Sequence, residues 1–333
     1  MSSRFFRTAL GALAFATAIS PVQAQEKLEA RFDNTFGTEL REPPSYVAHY
    51  ENDLERQIAQ LADGSKGRIG IAALDLTTGE EIAVLGDQRF PMASTSKIAI
   101  AATYLEGVDK GRWSLDDKWP LMVPQRSASF SSARAPVKPG KYLTALELID
   151  LMITRSSNQA TDALIAAVGG TEKVNDWARR AGIEEFNLSR DIATLVRDDG
   201  EFDPVKHIDL RDSATPRAMV RMLAGLHKGE WLSASSRAVL IGAMERCRTG
   251  VRRIPALMPA DVQVAHKTGS LNNTSSDIGI LTAPDGRTIA VAIYVTGQVT
   301  KPNREARIAE LARAVYDGYQ THNTQWVNAR YGR

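Results

Sequence analysis

Residues 262–295, VQVAHKTGSLNNTSSDIGILTAPDGRTIAVAIYV, contain three runs rich in β-branched and aromatic residues. These runs predict three strands, Val262–Lys267, Asp277–Thr282 and Thr288–Val295. The sequence Pro284-Asp285-Gly286 between the last two runs is typical of a tight turn. The segment therefore predicts neighbouring antiparallel strands near the end of the chain.

Two more strands are predicted near the beginning of the chain, at Gly67–Leu76 and Glu81–Leu85. Helices are predicted at Tyr50–Leu61 and Arg304–Tyr316, on either side of all these strands. Since strands occur at both ends of the chain and helices between them, we predict an α+β fold. In this fold both chain ends contribute to one antiparallel sheet flanked by helices, and an all-helical subdomain is inserted between them.

Two of the intervening helices carry polar motifs. Ser94 precedes Ile98–Leu105, which is apolar nearly all round and is therefore predicted to be a buried helix. A second helix is predicted from Thr144, with Glu147 three residues later in the pattern of a capping box. The apolar face of this helix continues to Ser156, so we expect Ser156 to emerge on the inward side of the helix end.

The first 24 residues have the features of a secretory signal peptide. Arg4 and Arg7 precede an apolar run from Ala9 to Ile19, which is too short to span a bilayer, and small residues end at Ala24. We therefore expect a periplasmic protein without a membrane anchor. The predicted organisation is a signal peptide at 1–24, an N-terminal extension at 25–45, one main domain at 46–319 and a C-terminal tail at 320–333.

Charge and composition argue against several classes of function. Removal of residues 1–24 takes away two arginines and lowers the formal net charge from +2 to zero, so nucleic acid is not an expected partner. Cys247 is the only cysteine, which excludes an intramolecular disulfide. The five histidines show no metal-ligand spacing, so we expect neither a metal nor another cofactor, and we expect a monomer.

The Ser94-Thr95-Ser96-Lys97 segment predicts an activated nucleophile. Ser94 and Lys97 are three residues apart at a helix start and share a face. A serine hydroxyl needs a base to remove its proton, and burial favours the neutral amine of a lysine. Taken alone, the pair is equally typical of a helix-capping serine and a solvated lysine.

Two further segments complete a possible acyl-transfer site. In Ser156-Ser157-Asn158, Ser156 can pass a proton and Asn158 can bind a substrate amide, although small polar residues also cap helices. The second segment is Lys267-Thr268-Gly269-Ser270. Its Gly269 permits close approach of a substrate, and the backbone N–H groups of Ser94 and Ser270 can stabilise an oxyanion. The residues that can bind a carboxylate there are Lys267, Thr268 and Ser270.

With these three motifs in this order, the chain resembles the class A β-lactamases and, more broadly, the penicillin-recognising serine hydrolases. The likeness extends from about Tyr50 to Tyr319 and includes segments outside the three motifs. These segments are Arg89-Phe90-Pro91-Met92, Gly169-Gly170, Arg211-Asp212-Ser213-Ala214-Thr215-Pro216, and Thr249-Gly250 with Arg252-Arg253-Ile254. The resemblance implies that Arg253 assists Lys267 in binding a carboxylate, whereas a surface arginine in a basic cluster is the alternative.

The chain departs from the family pattern at two places. The middle residue of the second motif is Ser157, where class A enzymes usually have aspartate. The Glu-x-x-Leu-Asn pattern that supplies the deacylation base in the Ω-loop is absent. Counting back from Asp212 makes Arg197 the loop arginine and offers Asp199 or Glu201 as the base.

Counting forward from Gly169-Gly170 instead makes Arg190 the loop arginine and puts Ile192 at the position of the base. The two counts differ by seven residues, and the sequence leaves both open.

The resemblance implies a β-lactamase-type hydrolase that is acylated on Ser94 and acts on a β-lactam or a peptidoglycan-like substrate. A DD-peptidase-like or esterase-like hydrolase that binds penicillin and deacylates slowly is the alternative enzyme. A penicillin-binding relative without catalysis is the third possibility. The altered loop favours slow deacylation more than an ordinary class A sequence would.

Overall fold

The computed structural model describes residues 38–39, 53–63 and 66–331, with side chains in 53–63 and 66–321. The predicted signal peptide, nearly all of the 25–45 extension and the end of the tail lie outside these residues. The described residues from Glu39 onward belong to one compact unit. Within the described residues, no helix has the length and apolarity needed to cross a membrane.

The helices have the following bounds. They are α1 Asp53–Leu61, α2 Lys97–Asp109, α3 Ala145–Thr154, α4 Asn158–Val168, α5 Thr171–Arg180, α6 Ile192–Arg197, α7 Pro216–Lys228, α8 Ala234–Glu245 and α9 Lys301–Tyr331, with 3₁₀ turns at Ala93–Ser96 and Ile254–Leu257.

The strands are mostly short outside one central sheet. They are β1 Thr38–Glu39, β2 Ile69–Asp75, β3 Glu81–Val84, β4 Phe90–Pro91, β5 Lys118–Pro124, β6 Val137–Thr144, β7 Phe186–Asn187, β8 Ile208–Asp209, β9 Ser213–Ala214, β10 Gln263–Leu271, β11 Thr274–Thr282 and β12 Thr288–Thr296.

The central sheet joins the two ends of the chain, as the sequence predicts. Its strand order is β10-β11-β12-β2-β3, and every neighbouring pair is antiparallel. β12 lies beside β2 because its residues alternate between two buried faces. Ile289, Val291 and Ile293 pack on one face, and Ala290 and Ala292 on the other. The α+β prediction is confirmed.

Each face of the sheet covers a separate apolar core. One core lies between the sheet, α1 and α9, and includes Ile58 and the fully buried Ile308, Leu311 and Val315. The other lies between the sheet and the helical subdomain and is built around α2. The last helix starts three residues earlier than predicted and is longer, because its apolar face continues along the sheet to Tyr319.

α2 is buried from Lys97 to Gly107, which confirms the prediction of a helix surrounded by protein. The predicted capping box of α3 is also present. The Glu147 backbone N–H donates to Thr144 Oγ1 at 3.2 Å, and the Thr144 N–H donates to the Glu147 carboxylate at 2.8 Å. This cap fixes the start of α3, and the C-terminal end of α3 then presents Ser156 to the first residue of α2, Lys97.

Candidate active site

Ser94 lies in the 3₁₀ turn that leads into α2 and is partly exposed. The preceding residue, Ala93, has φ of +48°, a left-handed conformation that costs a non-glycine residue energy. β10 passes very close to this turn at Gly269. A Cβ atom on Gly269 would lie 2.8 Å from the Met92 carbonyl oxygen, so only glycine fits. The close approach places the β10 backbone beside the turn that carries Ser94.

Lys97 is fully buried one turn after Ser94, and its ammonium has three acceptors. Nζ donates to the Ser156 carbonyl oxygen at 2.9 Å, to Ser156 Oγ at 3.1 Å and to Asn158 Oδ1 at 2.8 Å. Three bonds use all the N–H donors of a protonated lysine. The contacts fix the amine at the junction between α2 and the start of α4.

Ser156 connects this lysine to a second one. Lys267 on β10 is also fully buried, and its Nζ donates to Ser156 Oγ at 3.0 Å and to the Thr268 carbonyl oxygen at 2.9 Å. Ser156 has φ of +58°, so its backbone is held in a strained conformation at this junction. One hydroxyl therefore joins two buried amines, as a proton relay requires.

Both lysines lose protons more easily than an exposed lysine. Burial and the positive charge of Lys267 hold the pKa of Lys97 well below its ordinary value, although Asp162 opposes the shift. Burial lowers the pKa of Lys267 to about 8. The cause is the same in both cases, because a charged ammonium is costly to remove from water.

The role of Ser157 differs from the roles of Ser156 and Asn158, which bind Lys97. Its side chain accepts a hydrogen bond from the Ala160 N–H at 3.3 Å and so caps α4. Asn158 is the first residue of that helix and is exposed, with its Oδ1 on Lys97. The amide group of Asn158 is therefore open to a substrate while its oxygen orients the lysine.

The face of β10 opposite to Lys267 carries the other residues that were predicted to bind a carboxylate. Thr268 Oγ1 lies 2.6 Å from Thr249 Oγ1, and Ser270 is exposed next to the Ser94 turn. Arg253 is 3% exposed and donates from Nη2 to Ser270 Oγ at 2.7 Å. Its Nη1 donates to the carbonyl oxygens of Gly269 and Ser276, both at 2.8 Å. Arg253 is therefore a buried cation held beneath the strand rather than a surface residue.

The Ω-loop registry follows from one ion pair. Arg190 Nε donates to Asp212 Oδ2 at 2.6 Å, and the backbone N–H groups of Ser189 and Arg190 donate to Asp212 Oδ1 at 2.8 and 3.0 Å. Arg197 instead binds the adjacent Asp198 through two nitrogens, each at 2.7 Å. Arg190 is thus the arginine that binds Asp212, which agrees with the forward count.

The two acidic residues considered as the base are engaged elsewhere. Both Asp199 carboxylate oxygens accept from the Asn272 N–H, at 2.8 and 2.9 Å, in the turn between β10 and β11. Glu201 accepts from Arg211 Nη2 at 2.7 Å. The structure does not bring either carboxylate to Ser94, Lys97 or Ser156 by any contact among the described residues.

By the forward count, Ile192 stands at the loop position of the base in the family pattern. Its side chain is 2% exposed and belongs to the apolar core around α2. Its backbone N–H donates to Asp162 Oδ1 at 2.6 Å, and the N–H of Ala193 donates to Asp162 Oδ2 at 2.9 Å. Burial raises the pKa of Asp162 to about 6, against the effect of these two N–H donors. α6 is thus attached to α4 through a buried carboxylate.

Asp162 is a site residue that the sequence analysis missed. It lies inside a helix, and its partners are 30 and 31 residues away, so no local pattern marks it. Among the described residues, no group of three or more His, Cys, Asp or Glu side chains could hold a metal ion.

Comparison with known proteins gives the family. The model of the β-lactamase enzyme family matches residues 53–319. A β-lactamase from Bacteroides uniformis is 30% identical over 281 residues, which are 81% of this chain and 92% of the relative. The β-lactamase CTX-M-8 from Citrobacter amalonaticus is 31% identical over 80% of this chain and 90% of its own.

Comparison with solved structures points to the same family. An ancestral class A β-lactamase has a TM-score of 0.68 and 35% identity, covering 80% of this chain and 100% of its own. A mutant of PBP-A, solved as an acyl-enzyme complex with penicillin G, has a TM-score of 0.69 and 27% identity, covering 81% of this chain and 97% of its own. The chain belongs to the β-lactamase family and is a serine hydrolase of the class A type.

Proposed function

We propose that this hydrolase is acylated on Ser94 by β-lactams and releases the acyl group slowly. The observation that carries this proposal is the chain of hydrogen bonds from Lys97 through Ser156 to Lys267, with lengths of 3.1 and 3.0 Å. In this chain Lys97 is the proton acceptor, and Ser156 is the group that returns a proton to the substrate.

In acylation, the neutral amine of Lys97 accepts the proton of the Ser94 hydroxyl. Ser94 Oγ bonds to the β-lactam carbonyl carbon, and the negative charge on the carbonyl oxygen is stabilised by the backbone N–H groups of Ser94 and Ser270. The C–N bond of the ring then breaks, and the ring nitrogen takes a proton from Ser156, which Lys97 replaces. The lowered pKa of Lys97 supports its role as the base, because a useful base must be unprotonated at the working pH.

The substrate carboxylate is oriented by the edge of β10. The exposed Ser270 hydroxyl and the Thr268 hydroxyl donate hydrogen bonds, and Lys267 supplies positive charge. Arg253 holds Ser270 Oγ at 2.7 Å and adds a second buried cation behind the strand. A partly desolvated anion is stabilised by paired charge together with hydrogen bonds, and this site has both.

Slow release follows from the side chain at position 192. Hydrolysis of the ester needs a base within hydrogen-bond reach of the attacking water, about 2.6–3.2 Å or through one water. Ile192 has no titratable group, and the carboxylates of Asp199 and Glu201 bind Asn272 and Arg211. We infer that the acyl-enzyme accumulates and that hydrolysis of the β-lactam is limited by deacylation.

The same observation favours a second candidate function. A site that forms an acyl-enzyme but activates water poorly suits transfer of the acyl group from a peptidoglycan-like amide, through the Ser94 ester, to an amine acceptor. A DD-peptidase-like activity with penicillin as a slowly released inhibitor is therefore the alternative. We also propose export to the periplasm, supported by the character of residues 1–24, and a monomeric state without a membrane anchor.

Intact-protein mass spectrometry after mixing with penicillin G tests the proposal. We expect a mass increase of one penicillin on the wild-type chain and none on Ser94→Ala. Cys247→Ser serves as a matched control because it removes the only thiol of the chain and leaves Ser94 in place. A penicillin adduct that persists in Ser94→Ala would overturn the assignment of the nucleophile.

A further inference from the structure

A ribbon of two strands carries an unbalanced positive charge on the surface of the protein. β5 and β6 pair antiparallel with each other and with no other strand in the described part of the chain. Residues 118–144, which comprise both strands and the loop between them, contain five cations and neither aspartate nor glutamate. We call this segment the basic ribbon. Its cations, all of them exposed, are Lys118, Arg126, Arg134, Lys138 and Lys141.

The cations of the basic ribbon are not neutralised by the rest of the protein. Among the described residues, none of the five side chains makes a hydrogen bond or an ion pair. Lys118 and Lys141 act electrostatically on the Glu147 carboxylate, but that group is already bound in the capping box of α3. Exposed arginines elsewhere do have carboxylate partners, such as Arg246, which binds Asp150 at 2.9 Å. The ribbon therefore offers five cations to an anion from outside the chain.

The basic ribbon is fixed to the body of the protein along one face and at its tip. Trp119 on β5 and Leu143 on β6 pack against the core around α2. At the tip, Arg197 of α6 donates to the carbonyl oxygens of Ser131 and Ala133, at 2.8 and 2.9 Å. The unpaired cations are thus presented by a fixed surface rather than by a loose loop.

The basic ribbon lies close to the acylation site. β5 packs against α4, whose first residue, Asn158, accepts from Lys97 at 2.8 Å. The tip of the ribbon is bound to α6, the helix of the Ω-loop that begins at Ile192. β5 has seven residues, so this strand is about 23 Å long at about 3.3 Å for each residue. A ligand that reaches from Ser94 along the ribbon is therefore much longer than a β-lactam.

Lysine and proline on an exposed edge strand also prevent strands of different molecules from pairing. Lys138 and Pro139 on β6 would serve that purpose by themselves. This purpose does not account for Arg126 and Arg134, which lie in the loop, or for the single sign of the charge, because carboxylates also keep edges apart. It also does not account for Tyr142, which is 60% exposed on β6, since an exposed aromatic ring is typical of a contact surface.

We propose that the basic ribbon binds the acidic peptides of a peptidoglycan-like polymer while one of these peptides occupies the acylation site. Such a polymer is longer than a β-lactam, and its peptides repeat free carboxylates along it. Carboxylates are the natural partners of exposed ammonium and guanidinium groups, and Tyr142 covers apolar parts of the polymer. Each exposed ion pair contributes little, so binding depends on several cations acting together. The choice of this polymer rests on the second candidate function proposed above.

Cosedimentation with purified peptidoglycan sacculi tests the surface. Ser94→Ala is the background of every variant, so that binding is measured without turnover. We expect Lys138→Glu/Lys141→Glu to weaken binding at least about tenfold, because two attractions become two repulsions. The control is Lys66→Glu/Lys301→Glu, which changes the net charge equally at two exposed positions outside the ribbon. Its binding should stay within about twofold of the background, because charges far from the contact are screened.

The ligand is also varied, so that the result does not depend on one substitution. Sacculi whose carboxylates have been amidated with methylamine should bind the chain with the intact ribbon as weakly as unmodified sacculi bind Lys138→Glu/Lys141→Glu. Circular dichroism shows whether each variant is folded, and the amidated sacculi give a reading on the chain with the intact ribbon. Equal binding of both double variants to sacculi, or binding that survives amidation, would overturn the proposal.

Two other outcomes are distinguishable. Binding to vesicles of equal parts phosphatidylcholine and phosphatidylglycerol, without binding to sacculi, would assign the ribbon to a membrane surface and overturn the proposal. If the wild-type chain forms no penicillin adduct, the function proposed for Ser94 fails. The cosedimentation of the Ser94→Ala variants does not depend on acylation and still decides whether the ribbon binds the polymer.

Discussion

The most informative single substitution is Ser156→Ala. Ser156 Oγ is the one atom that accepts hydrogen bonds from both buried lysines, at 3.1 Å from Lys97 and 3.0 Å from Lys267. A hydrogen bond to the charged Lys267 contributes about 1.5–3 kcal/mol and one to the neutral Lys97 about 0.5–1.5 kcal/mol, so the loss of both corresponds to about 2–4.5 kcal/mol at most. At about 1.4 kcal/mol for each factor of ten, this range predicts a fall of about 30–1,000-fold in the acylation rate.

The assay is the rate of penicillin adduct formation by quenched-flow mass spectrometry, with Ser157→Ala as the control. Ser157 is the next residue, but its hydroxyl only caps α4 through the Ala160 N–H. Loss of that cap costs about 1 kcal/mol of stability, so the control should melt at a slightly lower temperature and acylate at nearly the wild-type rate. Acylation of Ser156→Ala within about tenfold of wild type, or an equal loss in both variants, would refute the relay.

Three further predictions concern binding and release. Lys267→Ala should lower kcat/KM for penicillins about 10–100-fold and for neutral ester analogues much less, because only the former offer a carboxylate; an equal loss on both classes of substrate argues against this role. Asp199→Asn and Glu201→Gln should leave the lifetime of the penicillin adduct unchanged within about twofold, as followed by intact mass, and a longer lifetime in either variant would restore that residue as the base. The acylation rate should rise with pH as Lys97 loses its proton and fall near pH 8 as Lys267 loses its own, since its pKa is about 8; in a pH profile with a neutral ester, persistence of the falling limb would contradict the assignment.

The parts of the fold that depend on residue periodicity could be predicted from the sequence. Runs rich in β-branched residues predicted β2 and β12, and the long apolar run after Ser94 predicted a helix buried on all sides. Such patterns work because a strand with two covered faces and a helix at the centre of a subdomain need apolar residues at nearly every position. The last helix is longer than predicted because its apolar face extends beyond Tyr316 onto the sheet.

The residue at the position of the base in the Ω-loop could not be predicted from periodicity. Two counts from different landmarks disagreed by seven residues, and spacing alone does not show where extra residues lie. The ion pair between Arg190 and Asp212 shows that they lie after Arg190, in the segment that contains Asp199 and Glu201. These two carboxylates then have partners on β10–β11 and at Arg211 that no local pattern indicates.

Contacts between distant segments were equally hidden in the sequence. Asp162 binds backbone groups about 30 residues away, and Arg253 lies beneath β10, where it binds Ser270. Each of these residues is unremarkable in its own segment. Their roles depend on burial and on the register between strands, which a single sequence does not specify.

The central claim is that Ile192 stands where the deacylation base is needed. The direct measurement is the lifetime of the penicillin adduct by time-resolved intact mass in the wild type, in Ile192→Glu and in Val196→Glu. Val196 lies on the same helix but is 52% exposed, so its variant introduces the same charge away from the site. A positioned general base contributes about 10²–10⁴-fold, and burial of the new carboxylate reduces that gain, so we expect at least about a tenfold shorter lifetime in Ile192→Glu alone.

Formation of the adduct also shows that each variant retains a folded site. The account predicts a long-lived adduct in the wild type and in Val196→Glu, and a short-lived one in Ile192→Glu. Rapid wild-type turnover without an accumulating adduct, or an Ile192→Glu adduct that lasts as long as that of the wild type, would contradict it.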